Sequence, residues 1–395
     1  MSCHFRKACL LTITLVAATA LQGCQDGGSA GSTSSGGASG PPKSVSSCPS
    51  SDVFTALPVT LSDLGSYGIT PLGNLNPPDH TFPSNHLYFY IKNSTGGSSV
   101  DNVPLYAPAT ATITNISSGT SLATNKTDYS IIFYPCTQLQ AYFYHVATLS
   151  SEILSAFNSA DKSCNTYNPG SGDTTHCSAG VDIPITAGEQ IGTVGGPTTS
   201  SYAVDLGLYD NRITALIYAN DARIRAEGNG YDDFHVVCAI DYFTATLKTQ
   251  LEAALNRPAN ALPLCGSVDQ DVANTAQGKW FEPSAGSPAS AESGNIALVH
   301  SNIDPTLGIF SIGNATIGVN TPSFTPTHTG TINREFSEVT ADGKIYCYDT
   351  LSTPGVIFLI QIPTSSSTTL KIEKQSANAC TGAETFTSAA LSFVR

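Results

Sequence analysis

Short runs in which apolar and polar residues alternate recur along the chain, separated by Gly, Pro, Asn and Ser. A period of two marks a strand with one buried face. Such runs cover residues 86–91, 103–106, 110–117, 129–134 and 139–146, then 181–185, 190–194 and 203–209. Pro184 inside one of them predicts a place at a sheet edge, because proline cannot donate to a ladder. Helical spacing is rarer. Ser150, Ser151 and Glu152 read as a helix start, with Ile153, Leu154 and Phe157 as its apolar face. Between 241 and 256, Phe243, Leu247, Leu251 and Leu255 fall every fourth residue, which predicts a helix stopped by Pro258. The stretch 57–83, rich in Pro, Gly and Asn, reads as an irregular lead-in, and 163–177 as a polar loop. After a Ser/Ala/Gly-rich linker at 284–294, strand runs at 296–300, 309–312, 344–348, 356–362, 370–373 and 390–394 predict a small all-β domain. No repeat of fixed period is present.

The pattern therefore predicts a mainly β chain: a larger β body with an appended helix, then a small β domain. Only 12% of residues are charged, a balance that suits β-rich exported proteins better than helix-faced ones. Acidic residues outnumber basic ones, 30 to 17. That balance argues against nucleic acid and anionic lipid head groups as partners.

The N-terminus changes the picture. Arg6 and Lys7 precede an apolar run from 8 to 20, which ends in Leu21-Gln22-Gly23-Cys24. The run is shorter than the roughly 20 apolar residues of a membrane-spanning helix, so it reads as a cleaved export signal, residues 1–23. The Leu-Gln-Gly-Cys ending resembles a bacterial lipobox, which implies lipid on Cys24 and a membrane anchor. Gln25, not aspartate, follows the cysteine, which favours the outer membrane over the inner. Residues 24–47 are mostly Gly, Ser, Ala, Thr and Pro and read as a flexible tether.

Beyond Cys3, Cys9 and Cys24, eight cysteines remain: Cys48, Cys136, Cys164, Cys177, Cys238, Cys265, Cys347 and Cys380. An even number in an exported chain predicts disulfides. Proximity favours Cys164 with Cys177, Cys238 with Cys265, and Cys347 with Cys380, although sequence cannot choose among roughly 105 pairings. No C-x-x-C pair supports a zinc cluster.

Four segments carry a resemblance. His86-Leu-Tyr-Phe-Tyr90 precedes VPLYAPATATITNI; Tyr142-Phe-Tyr-His145 is followed by Val146 and Leu149; Thr186-Ala-Gly-Glu-Gln-Ile-Gly192 is followed by Val194 and Gly195; and Val204-Asp-Leu-Gly-Leu-Tyr-Asp210 closes the series. In this order they resemble the lysostaphin/LytM-type zinc endopeptidases, whose β core is the duplicated hybrid motif. The resemblance implies such a β-sandwich over 48–283. It also implies a site built from an H-x-x-x-D strand, a Y-H-L segment and an H-x-H strand. Residue by residue, His86 keeps the first metal ligand, Tyr90 stands where the aspartate is expected, and Gly207 where the second histidine of H-x-H is expected. Asp205 takes the place of the first histidine of that pair, and His145 the other assisting position.

With two ligands replaced, the leading expectation is a catalytically degenerate module that needs no cofactor. It would bind peptidoglycan, or a partner such as a cell-wall hydrolase, from its lipid anchor. The alternative is an active zinc endopeptidase with rewired ligands. There His86, His145 and Asp205 would supply two imidazoles and a carboxylate, with His145 and Asp205 as the catalytic pair. A third reading is a structural or surface-assembly lipoprotein.

Other constellations are weaker. Ser159 and Lys162 fit S-x-x-K without its companion motifs. Asp232, Asp233 and His235 read as a solvated turn. Trp280 beside Phe281 is either a sugar-stacking platform or, the favoured reading, a packing pair between domains.

Overall fold

The structure, a computed structural model, describes residues 45–49, 51–167, 173–199, 201–226, 233–283 and 292–395. The expected signal, Cys24, most of the tether, most of the linker and Asp232 lie outside the described residues.

The chain is mainly β. In order come β1 (Leu64–Thr70), β2 (His86–Ile91), β3 (Val103–Tyr106), β4 (Ala111–Ser121), β5 (Thr127–Cys136), β6 (Leu139–Leu149) and helix α1 (Ser151–Ser159). β7 (Ser163–Tyr167), β8 (Thr174–Ile185), β9 (Gln190–Val194) and β10 (Ala203–Asp210) follow, then helices α2 (Asp221–Ala226) and α3 (Ala245–Ala253). These ten strands form one antiparallel sheet in the order β1-β2-β10-β6-β5-β4-β8-β7, with β9 pairing both β3 and β6. Alternation decides which face is buried: Leu87, Phe89 and Ile91 of β2 and Val204, Leu206 and Leu208 of β10 enter one apolar core. β10 lies between β2 and β6, so residues some 60 and 120 positions apart in sequence become cross-strand neighbours.

The remaining strands are β11 (Gly278–Trp280), β12 (Ile296–His300), β13 (Gly308–Ile312), β14 (Ser323–Phe324), β15 (Tyr346–Asp349), β16 (Val356–Gln361), β17 (Thr369–Ser376) and β18 (Leu391–Val394). They make two four-stranded antiparallel sheets around a second core. Gly278–Trp280, grouped by sequence with the preceding body, hydrogen-bonds instead to β12.

Several expectations need correction. The lead-in contains a strand: β1 pairs with β2 through a bulged register, although its Gly65 and Gly68 hide the alternation. The polar loop at 163–177 is largely the two arms of a hairpin, with Cys164 directly opposite Cys177. The helix expected at 241–256 is broken, because Phe243 is extended and its neighbours bond to Phe54: Phe54 N–H donates to Tyr242 O at 2.8 Å and Thr244 N–H to Phe54 O at 3.1 Å. It also ends short of Pro258, where the Ala254 carbonyl accepts from Ile69 N–H at 2.9 Å. Trp280 is no sugar platform. It is fully buried in the core of the second body, and its indole N–H donates to Ala276 O at 2.8 Å.

Pro184 does face an edge: β8 pairs there with β4, while β7 reaches only 174–178. Ser150 caps α1 as read, accepting from Ile153 N–H at 3.4 Å. Four cysteine pairs are placed for disulfides, Cys48 with Cys136, Cys164 with Cys177, Cys238 with Cys265 and Cys347 with Cys380. Among the described residues no helix is long and apolar enough to cross a membrane.

Candidate functional site

The face of β2, β10 and β6 opposite the apolar core gathers the residues singled out above. His86, Tyr88 and Tyr90 share it on β2, as do Asp205, Gly207 and Tyr209 on β10. In register, Gly207 lies opposite both His86 and Tyr142, and Asp205 opposite Tyr88 and Tyr144. His86 is thus a diagonal neighbour of Asp205, and its Nε2 lies 3.4 Å from Asp205 Oδ2.

His145 reaches the same oxygen by a different device. It follows Tyr144, so in a regular strand it would point to the other face. β6 bulges against β5 between the pairs Tyr129–Val146 and Ile131–Phe143, and His145 has φ +62°. That left-handed turn, which glycine adopts freely and histidine at a cost, swings the imidazole back. Its Nε2 lies 3.6 Å from Asp205 Oδ2 and its Nδ1 2.5 Å from Asp128 Oδ2.

Each imidazole is held from behind by a residue that the sequence did not single out. His86 Nδ1 lies 3.0 Å from Asn85 Oδ1. The orientation of that amide is set on its other side, where Asn85 Nδ2 donates to Asp233 Oδ1 at 2.9 Å and to Tyr209 Oη at 3.1 Å. Tyr142 Oη donates to the same Asn85 oxygen at 2.7 Å. Asp233 therefore serves the His86 neighbourhood and is not simply a solvated turn. The arrangement is a buried chain: Asp128, His145, Asp205, His86, Asn85, Asp233. Asp205 is fully buried and His86 nearly so, while Asp128 at the outer end is about one-third exposed.

The tautomers follow from the partners. Asn85 Oδ1 and the Asp128 carboxylate are acceptors, so each imidazole carries a proton on Nδ1. A neutral imidazole so protonated turns its Nε2 lone pair toward Asp205. Two lone pairs and a carboxylate oxygen then face one another, an arrangement that a proton or a cation between them would stabilise.

The donor chemistry is that of zinc, and the two spacings lie near the roughly 3.3 Å edge of a tetrahedral site with bonds of about 2.05 Å. Among the described residues, however, no group of three or more His, Cys, Asp or Glu side chains is placed to hold a metal ion. The expected H-x-H ligand has no room either, because a Cβ added at Gly207 would run into the Tyr142 ring. Tyr90, where an aspartate was expected, makes ring contacts with Tyr88 at 6.2 Å and Tyr67 at 5.6 Å.

Around the chain stand more rings: His86 contacts Tyr88 at 4.7 Å and His80 at 5.3 Å, and Tyr142 contacts Tyr144 at 4.6 Å. A cavity of about 280 Å³ lies elsewhere, lined by Leu72, Leu216, Val236 and the Cys238–Cys265 pair, and none of the cluster's groups opens into it. Ser159 and Lys162 stay apart: Ser159 Oγ donates to Ser155 O at 2.9 Å and Lys162 Nζ to Asn158 Oδ1 at 3.2 Å. Comparison with protein-family models, curated proteins and solved structures finds no significant match.

Proposed function

We propose that the chain is an exported lipoprotein, anchored through Cys24 in the outer membrane, whose large sheet is a catalytically degenerate LytM-like module that binds peptidoglycan or a cell-envelope partner. One observation carries the choice of a non-catalytic role: the ring of Tyr142 fills the space over Gly207 where that family's second metal-binding histidine would stand. The burial of Asp205 and His86 among tyrosines supports it, since cutting a cell-wall cross-link needs an open coordination position facing substrate.

A second reading is favoured by the approach of both Nε2 atoms to one Asp205 oxygen. Here His86, His145 and Asp205 would hold zinc, with Asn85 and Asp128 orienting the two imidazoles from behind. Zinc in such a site supplies a water acidified for attack on an amide.

The full-length chain, purified from membranes in detergent without a metal-binding tag, separates these readings. The degenerate module predicts less than about 0.1 zinc per chain by elemental analysis, retention on purified sacculi and no released muropeptides. Stoichiometric zinc that disappears in His86→Ala, together with muropeptide release, would overturn it. Absence of both zinc and sacculus binding would leave the structural, surface-assembly role. The anchor is tested separately: Cys24→Ala should lose incorporated fatty acid and shift the protein from the membrane to the soluble fraction.

A further inference from the structure

The two β bodies meet on the segment 71–85, which runs directly into β2. The segment is tied to itself: Gly73 N–H donates to Ser84 O at 2.9 Å, Ser84 N–H to Asn74 O at 3.1 Å, and Asn76 and His80 exchange backbone bonds at 2.9 and 3.0 Å. A loop so cross-linked moves as a unit. Its outer side is gripped by the C-terminal body. Phe82 N–H donates to Glu292 Oε2 at 2.6 Å, Asn302 Nδ2 donates to Pro71 O at 3.0 Å, and the rings of Phe82 and Phe281 meet edge-on at 5.4 Å. The Lys279 ammonium lies over Phe82 at 5.3 Å and over Tyr218 at 4.3 Å. Gly313 is glycine for the same reason, since a Cβ there would strike Thr81 Oγ1.

At its other end this loop presents Asn85, the residue that holds His86 Nδ1. We propose that the C-terminal body is a clamp on the cluster: by gripping the 71–85 loop through Glu292, it fixes the Asn85 amide and so sets the position of His86 relative to Asp205. The clamp rests on loop geometry alone and is independent of the cell-envelope reading.

Glu292 gives the clamp a pH dependence. Burial pushes its carboxyl up to about 7, against the pull of His80, the Phe82 N–H and Lys279, while Asp233 adds to the rise. An acid whose value rises from 4.5 on docking holds its proton more tightly when docked. The grip is therefore strongest below about pH 4.5 and is lost progressively as pH rises through about 7.

Hydrogen exchange on the full chain, corrected for the intrinsic pH dependence of amide exchange, tests this. Between pH 5 and 8 the opening equilibrium of the Phe82 amide should rise at least ten-fold and at most about 70-fold, the limit set by a carboxyl raised from 4.5 to about 7. Glu292→Gln keeps an acceptor for Phe82 N–H but cannot ionise, so protection should persist and the rise should vanish. Glu292→Ala should expose Phe82 and also shift the NMR signals of the His86 ring. His80 is the other neighbour whose ordinary range falls in this window, so His80→Gln should leave the rise in place. An unchanged pH response in Glu292→Gln, or its loss in His80→Gln, would overturn the role of Glu292. Unmoved His86 signals in Glu292→Ala would overturn the clamp. If Glu292→Ala does not fold, the glutamine variant still decides the role of Glu292, and the His86 signals of Asn302→Ala, which frees the same loop at Pro71 O, decide the clamp: unmoved signals there overturn it.

Discussion

The two β bodies are built from similar strands but solve the interior differently. The C-terminal body fills its core with rings: Phe310 contacts Phe324, Phe336, Tyr348 and Phe358 at centroid distances of 5.8, 5.0, 5.0 and 4.9 Å. The large sheet has an equally apolar core on one face, but the other face buries a carboxylate between two imidazoles and bends a histidine into a left-handed conformation to do so. Apolar alternation is sufficient for stability, whereas buried charge and backbone strain persist only where something else over-determines them. The contrast is why the proposed function is placed on the large sheet. It also means that equal-looking mutations should behave differently in the two bodies.

The largest effect belongs to the aromatic core. Phe310→Ala removes a fully buried ring and should cost about 3–5 kcal/mol, read as a shift of the C-terminal unfolding transition in urea. The His86 ring signals should survive at denaturant concentrations below that transition. A loss under about 1 kcal/mol would mean that the ring cluster is loosely packed and the contrast overstated.

Next come the glycines of the large sheet. Gly207→Ala places a methyl group against the Tyr142 ring and should cost about 1–3 kcal/mol, with Tyr142 displaced from Asn85. Gly180→Ala, where nothing lies within 4 Å of the added Cβ, should change stability by less than about 0.5 kcal/mol. Paired urea titrations measure both. Equal costs would remove the special status of position 207.

This pair also shows how far the sequence could be read. The strands at 86–91, 103–106, 190–194 and 296–300 emerge with the bounds that the apolar runs give, because at least one face of each is buried. β7, Ser-Cys-Asn-Thr-Tyr, carries no such pattern: its residues are mostly exposed and hairpin pairing alone makes it a strand. At the site, His86, His145 and Asp205 are legible as chemistry-bearing residues within strand runs. Asn85 and Asp128 are not, since they acquire meaning only from partners 148 and 17 residues away, through Asp233 and His145. The Tyr142 ring over Gly207 depends on the register of β10 against β6, which no local pattern encodes.

Strain at His145 gives a smaller effect with an unusual sign. In an ordinary strand position glycine is worse than alanine by about 0.5–1 kcal/mol. At φ +62° the order should reverse, with His145→Gly more stable than His145→Ala by about 1 kcal/mol. Both variants lose the same contacts to Asp128 and Asp205, so their difference isolates the backbone. Thr148, also on β6, supplies the control, where Thr148→Ala should be the more stable of the pair. Thermal unfolding of the four variants decides; alanine ahead of glycine at both positions would mean that the bulge relaxes and His145 carries no strain.

The smallest effect lies in the C-terminal body, at the partly buried ion pair of His300 and Glu335. His300 Nε2 lies 3.0 Å from Glu335 Oε1, and its Nδ1 is 3.0 Å from Pro305 O. The Glu335 hydrogen bond raises the His300 value above 6.5, against desolvation. For Glu335, desolvation opposes but the imidazolium prevails and the value falls below 4.5. A raised histidine contributes below 6.5 and loses that contribution as pH rises through its folded value, whereas a lowered glutamate contributes above 4.5 and loses it as pH falls. The pair thus stabilises the fold most between about pH 4.5 and 6.5, by under about 1 kcal/mol since both groups keep some solvent contact. Measured in a Glu292→Gln background, His300→Gln should flatten the C-terminal transition midpoint across pH 5 to 8 and leave the large-sheet transition unchanged. Identical flattening of both transitions would show that the two bodies unfold as one unit, and the contrast between their interiors would then have to be measured by local exchange instead of by melting.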